Sequence, residues 1–374
     1  MFRVCIAGAG GIGRAIAVLL REYGGVKFDI YIGDINVDAC LDAKEWIETS
    51  GEHIGFVQSV DMKKEEWHRN LENIDLILDC LPGKFAPKMA QVALDLDAHY
   101  VNLTEYVAET KLIMDLAKNA KTGFGLQSGV APGFVNVLGK KLFEEFCAHH
   151  GVDNANDLEM RVGALSRNAI EPHYYAFTWS TIGVATEYVK QAEVVQNHEF
   201  KLVDSLTGRR AVMVDGILLE EDYTSGGAAD IPKAFQRKIA NINYKTLRYP
   251  GHWAWVDKIL EQVPEEQDAI AFLEAEMLKI IPAVEEDLII VYAAVEGLDR
   301  HGVLRRMEAS YRVEPMKVGE VTLRAIQSTT AAGMAEIARL VLTRKYQGVL
   351  LQSQVDATDY LSGPFVRAVY GERR

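Results

Sequence analysis

The feature that most limits what this chain can become is a glycine cluster close to its start. Phe2–Ala7 is a short apolar run, and Gly8-Ala9-Gly10-Gly11-Ile12-Gly13 follows it at once. Residues 14–23 then carry apolar side chains at helical spacing, with Ile16, Leu19 and Leu20 on one side. A second apolar run over 28–33 ends at Asp34. Strand, glycine turn, helix and strand in that order open a βαβ unit that binds a dinucleotide. Gly8 permits the tight turn out of the strand, Gly10 lets the backbone approach a pyrophosphate, and Gly13 lets the helix lie close on the strand. The first helical N–H groups, at Gly11, Ile12 and Gly13, then face the phosphates with the positive end of the helix dipole.

Asp34 stands ~20 residues beyond Gly13, where the ribose-binding acid of such a unit is expected. Its carboxylate can accept hydrogen bonds from both adenosine ribose hydroxyls and would repel a 2′-phosphate. Ile35 and Asn36 bring no cation to offset that repulsion, so the expected cofactor is NAD rather than NADP. The structural alternative makes Asp34 a turn residue and Asn36 a helix cap. Ile35 joins the expected cofactor contacts. Two further loops should line the cleft, because ligands bind beyond the carboxyl ends of parallel strands. They are Leu81-Pro82-Gly83, after a strand ending at Cys80, and Thr104-Glu105-Tyr106, after a strand ending at Leu103.

Strands fit 74–80, 99–103 and 123–127, with helices at 85–96 and 109–119 between them. Such alternation means a parallel sheet covered on both faces. The pattern changes after about Gly129. Residues 158–165 and 175–180 read as strands, and 194–219 is β-rich with turns at Gln196-Asn197 and Thr207-Gly208. Two apolar runs, 288–295 and 303–312, flank the hairpin signal Asp299-Arg300-His301-Gly302. Residues 331–342 form a strong helix whose stripe of Met334, Ile337, Ala338 and Val341 is expected to pack back on the first domain. The predicted fold is α/β: a Rossmann doubly wound parallel sheet with an inserted α+β domain built on a mostly antiparallel sheet. The expected division is 1–128 for the dinucleotide, 129–327 for the substrate, and 328–374 returning to the Rossmann domain.

Composition closes off other classes. A length of 374 residues suits two domains. A formal net charge of -13 argues against nucleic acid or an anionic membrane as partner, since phosphates would be repelled. The uncharged stretch 122–139 is broken by glycines and Pro132 and reads as a loop, not a membrane helix. Residues 1–7 read directly as a strand, with no charged n-region and cleavage site before it, so a secretory signal is not expected. Cys5, Cys40, Cys80 and Cys147 are widely spaced, as suits reduced thiols in a cytoplasmic protein. No metal is expected, because no H-E-x-x-H and no cysteine cluster occurs.

Four segments carry a resemblance: G-A-G-G-I-G at Gly8, L-P-G at Leu81, V-A-P-G-F-V-N at Val130 and T-L-R-Y-P-G-H at Thr246. In this order they resemble the saccharopine dehydrogenase-like family, over nearly the whole chain. Its members act on carbon–nitrogen bonds of lysine-related amino acids. Y-I-G-D-I-N at Tyr31 and A-P-G at Ala131 look closest to the lysine 6-dehydrogenases of that family. Saccharopine-forming reductases typically carry an aspartate where Ala131 stands. The resemblance therefore implies NAD-dependent oxidative deamination of the L-lysine ε-amine to the 6-semialdehyde. The alternatives are a saccharopine or carboxylated-polyamine dehydrogenase or reductase, and a non-catalytic NAD(H)-sensing protein. The resemblance also implies a homodimer, with the sheet of the second domain as its interface.

Amine oxidation needs a neutral amine, so a base or water chain must take its proton before hydride leaves. The cofactor performs the redox step. Glu105, Arg248 and His252 are the catalytic candidates. Arg248 can grip a substrate carboxylate through a two-pronged fork. His252 titrates near neutrality, and Glu105 can bind an ammonium group or act as base. Tyr106, Pro132, Gly133, Gly226 and Gly227 complete the expected substrate contacts with Arg248. The structural alternatives are an ion pair for Arg248, a loop place for His252 and a helix-start carboxylate for Glu105.

Overall fold

A computed structural model describes residues 1–51, 55–64, 67–71, 73–105, 107–167, 170–344 and 346–373. It begins as the glycine cluster demands. β1 (Phe2–Ala7), α1 (Gly11–Tyr23), β2 (Phe28–Asp34), α2 (Val37–Glu48) and β3 (Val57–Asp61) follow one another. β4 (Leu76–Asp79), α3 (Ala86–Asp95), β5 (His99–Asn102), α4 (Val107–Leu116) and β6 (Gly123–Gly125) continue the alternation. Residues 4–7 of β1 and 76–78 of β4 are apolar and buried, as suits a parallel sheet covered by helices on both faces. Asn36 caps α2 by accepting from the Asp38 and Ala39 amides.

α5 (Phe134–His150) opens the second half, followed by β7 (Ala155–Ser166), α6 (Thr181–Val189), β8 (Ala192–Gln196) and β9 (Glu199–Val203). Then come β10 (Arg210–Val214), β11 (Ile217–Tyr223), α7 (Ile231–Phe235), β12 (Ile239–Arg248), α8 (His252–Leu260), α9 (Ala269–Ile280), β13 (Asp287–Leu298) and β14 (Leu304–Val313). The strands form one sheet in the order β10-β11-β12-β7-β13-β14, with β8 pairing β12 and β9. Only β12 and β7 run parallel; the other pairs are antiparallel. At the hairpin between β13 and β14, Asp299 accepts from the His301 and Val303 amides.

β15 (Met316–Val318) and β16 (Val321–Leu323) make a small ribbon before α10 (Ala325–Arg344), β17 (Gly348–Leu350), α11 (Ala357–Leu361) and α12 (Pro364–Tyr370). β17 pairs in parallel with β6 and completes a seven-stranded sheet, β17-β6-β5-β4-β1-β2-β3. The chain divides into two compact units. The first holds residues 1–134, 316–323 and 327–371; the second holds 135–315, 324–326 and 372–374. The helix expected at 331–342 lies within α10 in the first unit, where Ile337 meets Gly125 of β6 and Val341 meets Gly123.

Two expectations are corrected. Residues 175–180 are not a strand: among them only Phe177 makes a bridge, to Ala283. Tyr175 and Phe177 instead pack irregularly against Val184, Tyr188 and Trp253, so their apolar character serves a helical cluster and not a sheet. The stretch 122–139 is a loop only in part, because α5 begins at Phe134. Its Gly139 lies inside that helix, where a Cβ would sit 3.1 Å from the Met160 side chain. Close helix-on-strand packing, not loop flexibility, is what this glycine permits.

Candidate functional site

In the first unit the strand order reverses between β1 and β4, and a crevice at the carboxyl ends of those strands is where such sheets take ligands. The glycine turn sits there. Gly8 has φ +111°, open to glycine, and a Cβ on it would lie 3.0 Å from the Cys80 carbonyl oxygen. A Cβ on Gly13 would lie 2.0 Å from the Gly8 oxygen, so the first turn of α1 rests on the turn before it. At Gly10, which is exposed and caps α1, a Cβ would meet nothing within 4 Å. The helix-start amides beyond it have no intrahelical acceptor. Open space over unpaired donors fits a dinucleotide pyrophosphate.

Asp34 holds the end of β2 to the glycine turn. One carboxylate oxygen accepts from the Ala9 amide of the glycine turn at 3.0 Å, and the other from the Asn36 amide at 3.0 Å. It is thereby fixed at the end of β2, with lone pairs left for further donors. Ile35 beside it is 63% exposed. Arg14, absent from the sequence expectations, bridges the Ala9 and Ala39 carbonyls through its guanidinium.

Leu81 is half-buried and Pro82 exposed, directly after β4. Thr104 is buried and Glu105 half-buried beyond β5, while Tyr106 lies outside the described residues. At the same sheet edge, Ser128 Oγ is a buried polar atom. Pro132 and Gly133 are buried. They close a tight loop in which the Phe134 amide donates to the Gly129 carbonyl at 2.9 Å.

The second unit gathers the polar motif residues in its interior, Arg248 and His252 among them. Arg248 ends β12 and is 1% exposed. Its guanidinium pairs with Glu187 at 3.0 Å and donates to Tyr188 Oη at 2.7 Å and to the Leu247 carbonyl at 3.0 Å. Tyr175, Tyr188 and Trp253 stack around it. The fork expected to hold a substrate carboxylate already holds an internal one. His252, at the start of α8, is fully buried; Nδ1 donates to the His173 carbonyl at 2.7 Å and Nε2 lies 3.0 Å from Tyr188 Oη. Burial, with the Arg248 charge beside it, lowers its pKa to about 3, so it does not titrate near neutrality.

Gly226 and Gly227 sit on a loop anchored by motif residues. Asn136 Nδ2 donates to the Gly227 carbonyl at 3.0 Å, Thr224 and Thr246 share a 2.7 Å hydrogen bond, and the Ser225 amide donates to the Glu187 carbonyl. A Cβ on Gly227 would fall 2.2 Å from the Tyr244 ring, so its small size serves that packing. Glu187, Tyr188 and Asn136 were missed from the sequence. Asn136 could have been found, as the last residue of V-A-P-G-F-V-N; Glu187-Tyr188 carries no motif. Among the described residues no group of three or more His, Cys, Asp or Glu side chains is placed to hold a metal ion. None of their helices is long and apolar enough to cross a membrane.

A doubly wound sheet with a glycine turn at its switch point, joined in one chain to an α+β unit, is the architecture of a nicotinamide-dinucleotide dehydrogenase. The family model for the saccharopine dehydrogenase NADP binding domain matches residues 4–127, and that for the saccharopine dehydrogenase C-terminal domain matches 129–369. The chain belongs to the saccharopine dehydrogenase family, as an NAD(P)-dependent amino-acid dehydrogenase acting on small molecules. Its fold is like that of apo saccharopine dehydrogenase (L-Glu forming) from Saccharomyces cerevisiae, with TM-score 0.77 at 13% identity over 100% of this chain and 99% of that one. It is also like homospermidine synthase from Legionella pneumophila in complex with NAD, with TM-score 0.66 at 12% identity over 100% and 90%.

Proposed function

We propose that the protein oxidises the ε-amine of L-lysine with NAD, releasing ammonia and the 6-semialdehyde. The observation that carries this reading is Asp34, a carboxylate locked to the glycine turn where an adenosine ribose would lie, which favours NAD over a 2′-phosphorylated cofactor. Ala131 supports the substrate half, because it puts no carboxylate before Pro132-Gly133, where saccharopine-forming reductases carry one. The first unit binds the cofactor through Gly8, Gly10, Gly11, Ile12, Gly13, Asp34, Ile35, Leu81, Pro82, Gly83 and Thr104. Glu105 is the proton acceptor, and Tyr106, Pro132, Gly133, Gly226 and Gly227 are the candidate substrate contacts. Arg248 and His252 act as framework rather than as ligands. In this reading the enzyme works in the cytoplasm as a homodimer joined through the sheet of the second unit.

The test is NADH formation across a panel of amines and amino acids that includes L-lysine, saccharopine and a carboxylated polyamine. Turnover of L-lysine with NAD and not NADP is expected. Turnover confined to saccharopine or the polyamine moves the substrate within the family, and tight NADH binding with no turnover points to a sensor.

A further inference from the structure

Asp79 is the last residue of β4, 2% exposed, and two donors meet its carboxylate. The Leu81 amide donates to one oxygen at 3.0 Å and the Tyr100 hydroxyl to the other at 2.7 Å. Tyr100 is fully buried on β5, and its hydroxyl also lies 3.2 Å from the Ala86 carbonyl at the start of α3. The chain leaving Asp79 touches the glycine turn. The Cys80 amide donates to the Ala7 carbonyl at 2.8 Å, and a Gly8 Cβ would lie 3.0 Å from the Cys80 oxygen. The direction in which Leu81-Pro82-Gly83 departs is thus set from one buried carboxylate, beside the turn that opens α1.

We propose that Asp79 is a positioning residue for the dinucleotide: its two oxygens, one on the Leu81 amide and one on the Tyr100 hydroxyl, hold the Leu81–Gly83 turn in the course that the cofactor meets. The proposal rests on the reading that this turn contacts the cofactor. A turn alone does not need an ionised group, since asparagine or serine caps one as well. A buried carboxylate without a cation lowers stability, and among the described residues no ion pair reaches Asp79. The titratable groups facing it are Cys5 on β1, Cys80 beside it and Tyr100 on β5, none of them cationic. α3 and α4 meet this face of the sheet with Ala86, Met89 and Ile113, and the nearby Lys84 and Lys88 are exposed. Burial raises the Asp79 carboxyl to about 6 despite its two hydrogen bonds. The fold therefore carries an ionised group at a cost to its own stability. What the charge supplies that an amide cannot is two acceptor oxygens at once.

The experiment uses the full chain and NADH as probe, with fluorescence titration, thermal melts and amide exchange. In the parent, NADH should slow exchange of the Leu81, Gly83 and Lys84 amides; if it does not, the turn is no cofactor contact and both the reading and this proposal fall. With that protection seen, Asp79→Asn should melt at or above the parent temperature near pH 7.5 yet bind NADH about threefold to tenfold more weakly, the scale of one hydrogen bond that positions the turn without touching the cofactor. Tyr100→Phe should weaken binding in the same range. Parent affinity should fall as pH drops through about 6, because protonation removes one acceptor, and Asp79→Asn should show no such step. A parent without that step, or an Asp79→Asn chain that binds NADH as the parent does, overturns the proposal while the contact itself stands.

Discussion

Tyr188 and His252 are joined by a 3.0 Å hydrogen bond whose direction follows from the imidazole being neutral. Arg248 Nε donates to the tyrosine oxygen, and His252 Nδ1 must donate to the His173 carbonyl, which can only accept. Tyr188 therefore gives its own proton to His252 Nε2, and the imidazole is the neutral Nδ1–H tautomer. Glu187 balances the guanidinium at the head of this chain, where burial pushes the glutamate carboxyl up against the pull of Arg248.

A pH dependence of stability follows from His252. Its folded pKa of about 3 lies below the ordinary 6.5, so the native state refuses a proton that the unfolded chain accepts. The contribution is complete above pH 6.5 and is lost as pH falls from 6.5 toward 3. The loss should be about 1.4 kcal/mol per pH unit within that window. Urea unfolding at a series of pH values should give a shallower acid limb for His252→Gln than for the parent. Parallel limbs would mean that His252 takes up a proton in the native state.

Arg248 should matter to stability before it matters to substrate. Arg248→Met strands the Glu187 carboxylate in the interior and should cost about 3–5 kcal/mol, whereas adding Glu187→Leu should recover most of that. Chemical denaturation of the three chains measures it. If Arg248→Met is as stable as the parent and only the Michaelis constant for the amino acid rises, the guanidinium belongs to the substrate after all.

The glycine turn offers a clean contrast. Gly10→Ala adds a methyl group to open space and should leave the melting temperature of the free protein unchanged, while obstructing the cofactor. Gly13→Ala drives a methyl group to 2.0 Å from the Gly8 oxygen and should destabilise the protein whether or not cofactor is present. Melting curves with and without NADH separate the two. Equal loss of stability in both variants would show that Gly10 is needed for the fold alone.

Asp34→Ser should narrow the preference for NAD over NADP, chiefly by weakening NAD binding about tenfold, the scale of one charge-assisted hydrogen bond. Calorimetric titration with both cofactors on both chains measures it. A parent that already binds NADP more tightly would remove the basis for assigning NAD.

The first unit was legible because its signals are local. Gly8 to Gly13, the apolar runs of β1 and β2 and the acid at Asp34 each state their structure within a few residues, and Asn36 even announces the cap of α2. The second unit was less so. The apolar 175–180 run looks extended, but its partners are the helices α6 and α8, which no local pattern reveals. The start of α5 is hidden behind glycines, one of which is there to admit Met160. The surroundings of Arg248 were hidden for the same reason. A guanidinium on a polar motif looks available until the carboxylate 61 residues away is found against it.

The pairing of β17 with β6 sets Gly348 opposite Gly123, so the sheet of the first unit lacks this strand until synthesis has passed residue 350. During synthesis the exposed flank of β6 offers unpaired amides and carbonyls to any neighbouring chain. The intervening strands, β7 to β14, need nothing from the final residues for their own pairing and can assemble while that flank is still open. Loss of the last 30 or so residues should thus be felt first as aggregation of nascent protein, seen in the soluble yield of chains shortened to end before β17. Equal soluble yield from the shortened and full chains would mean that the β6 flank is shielded some other way.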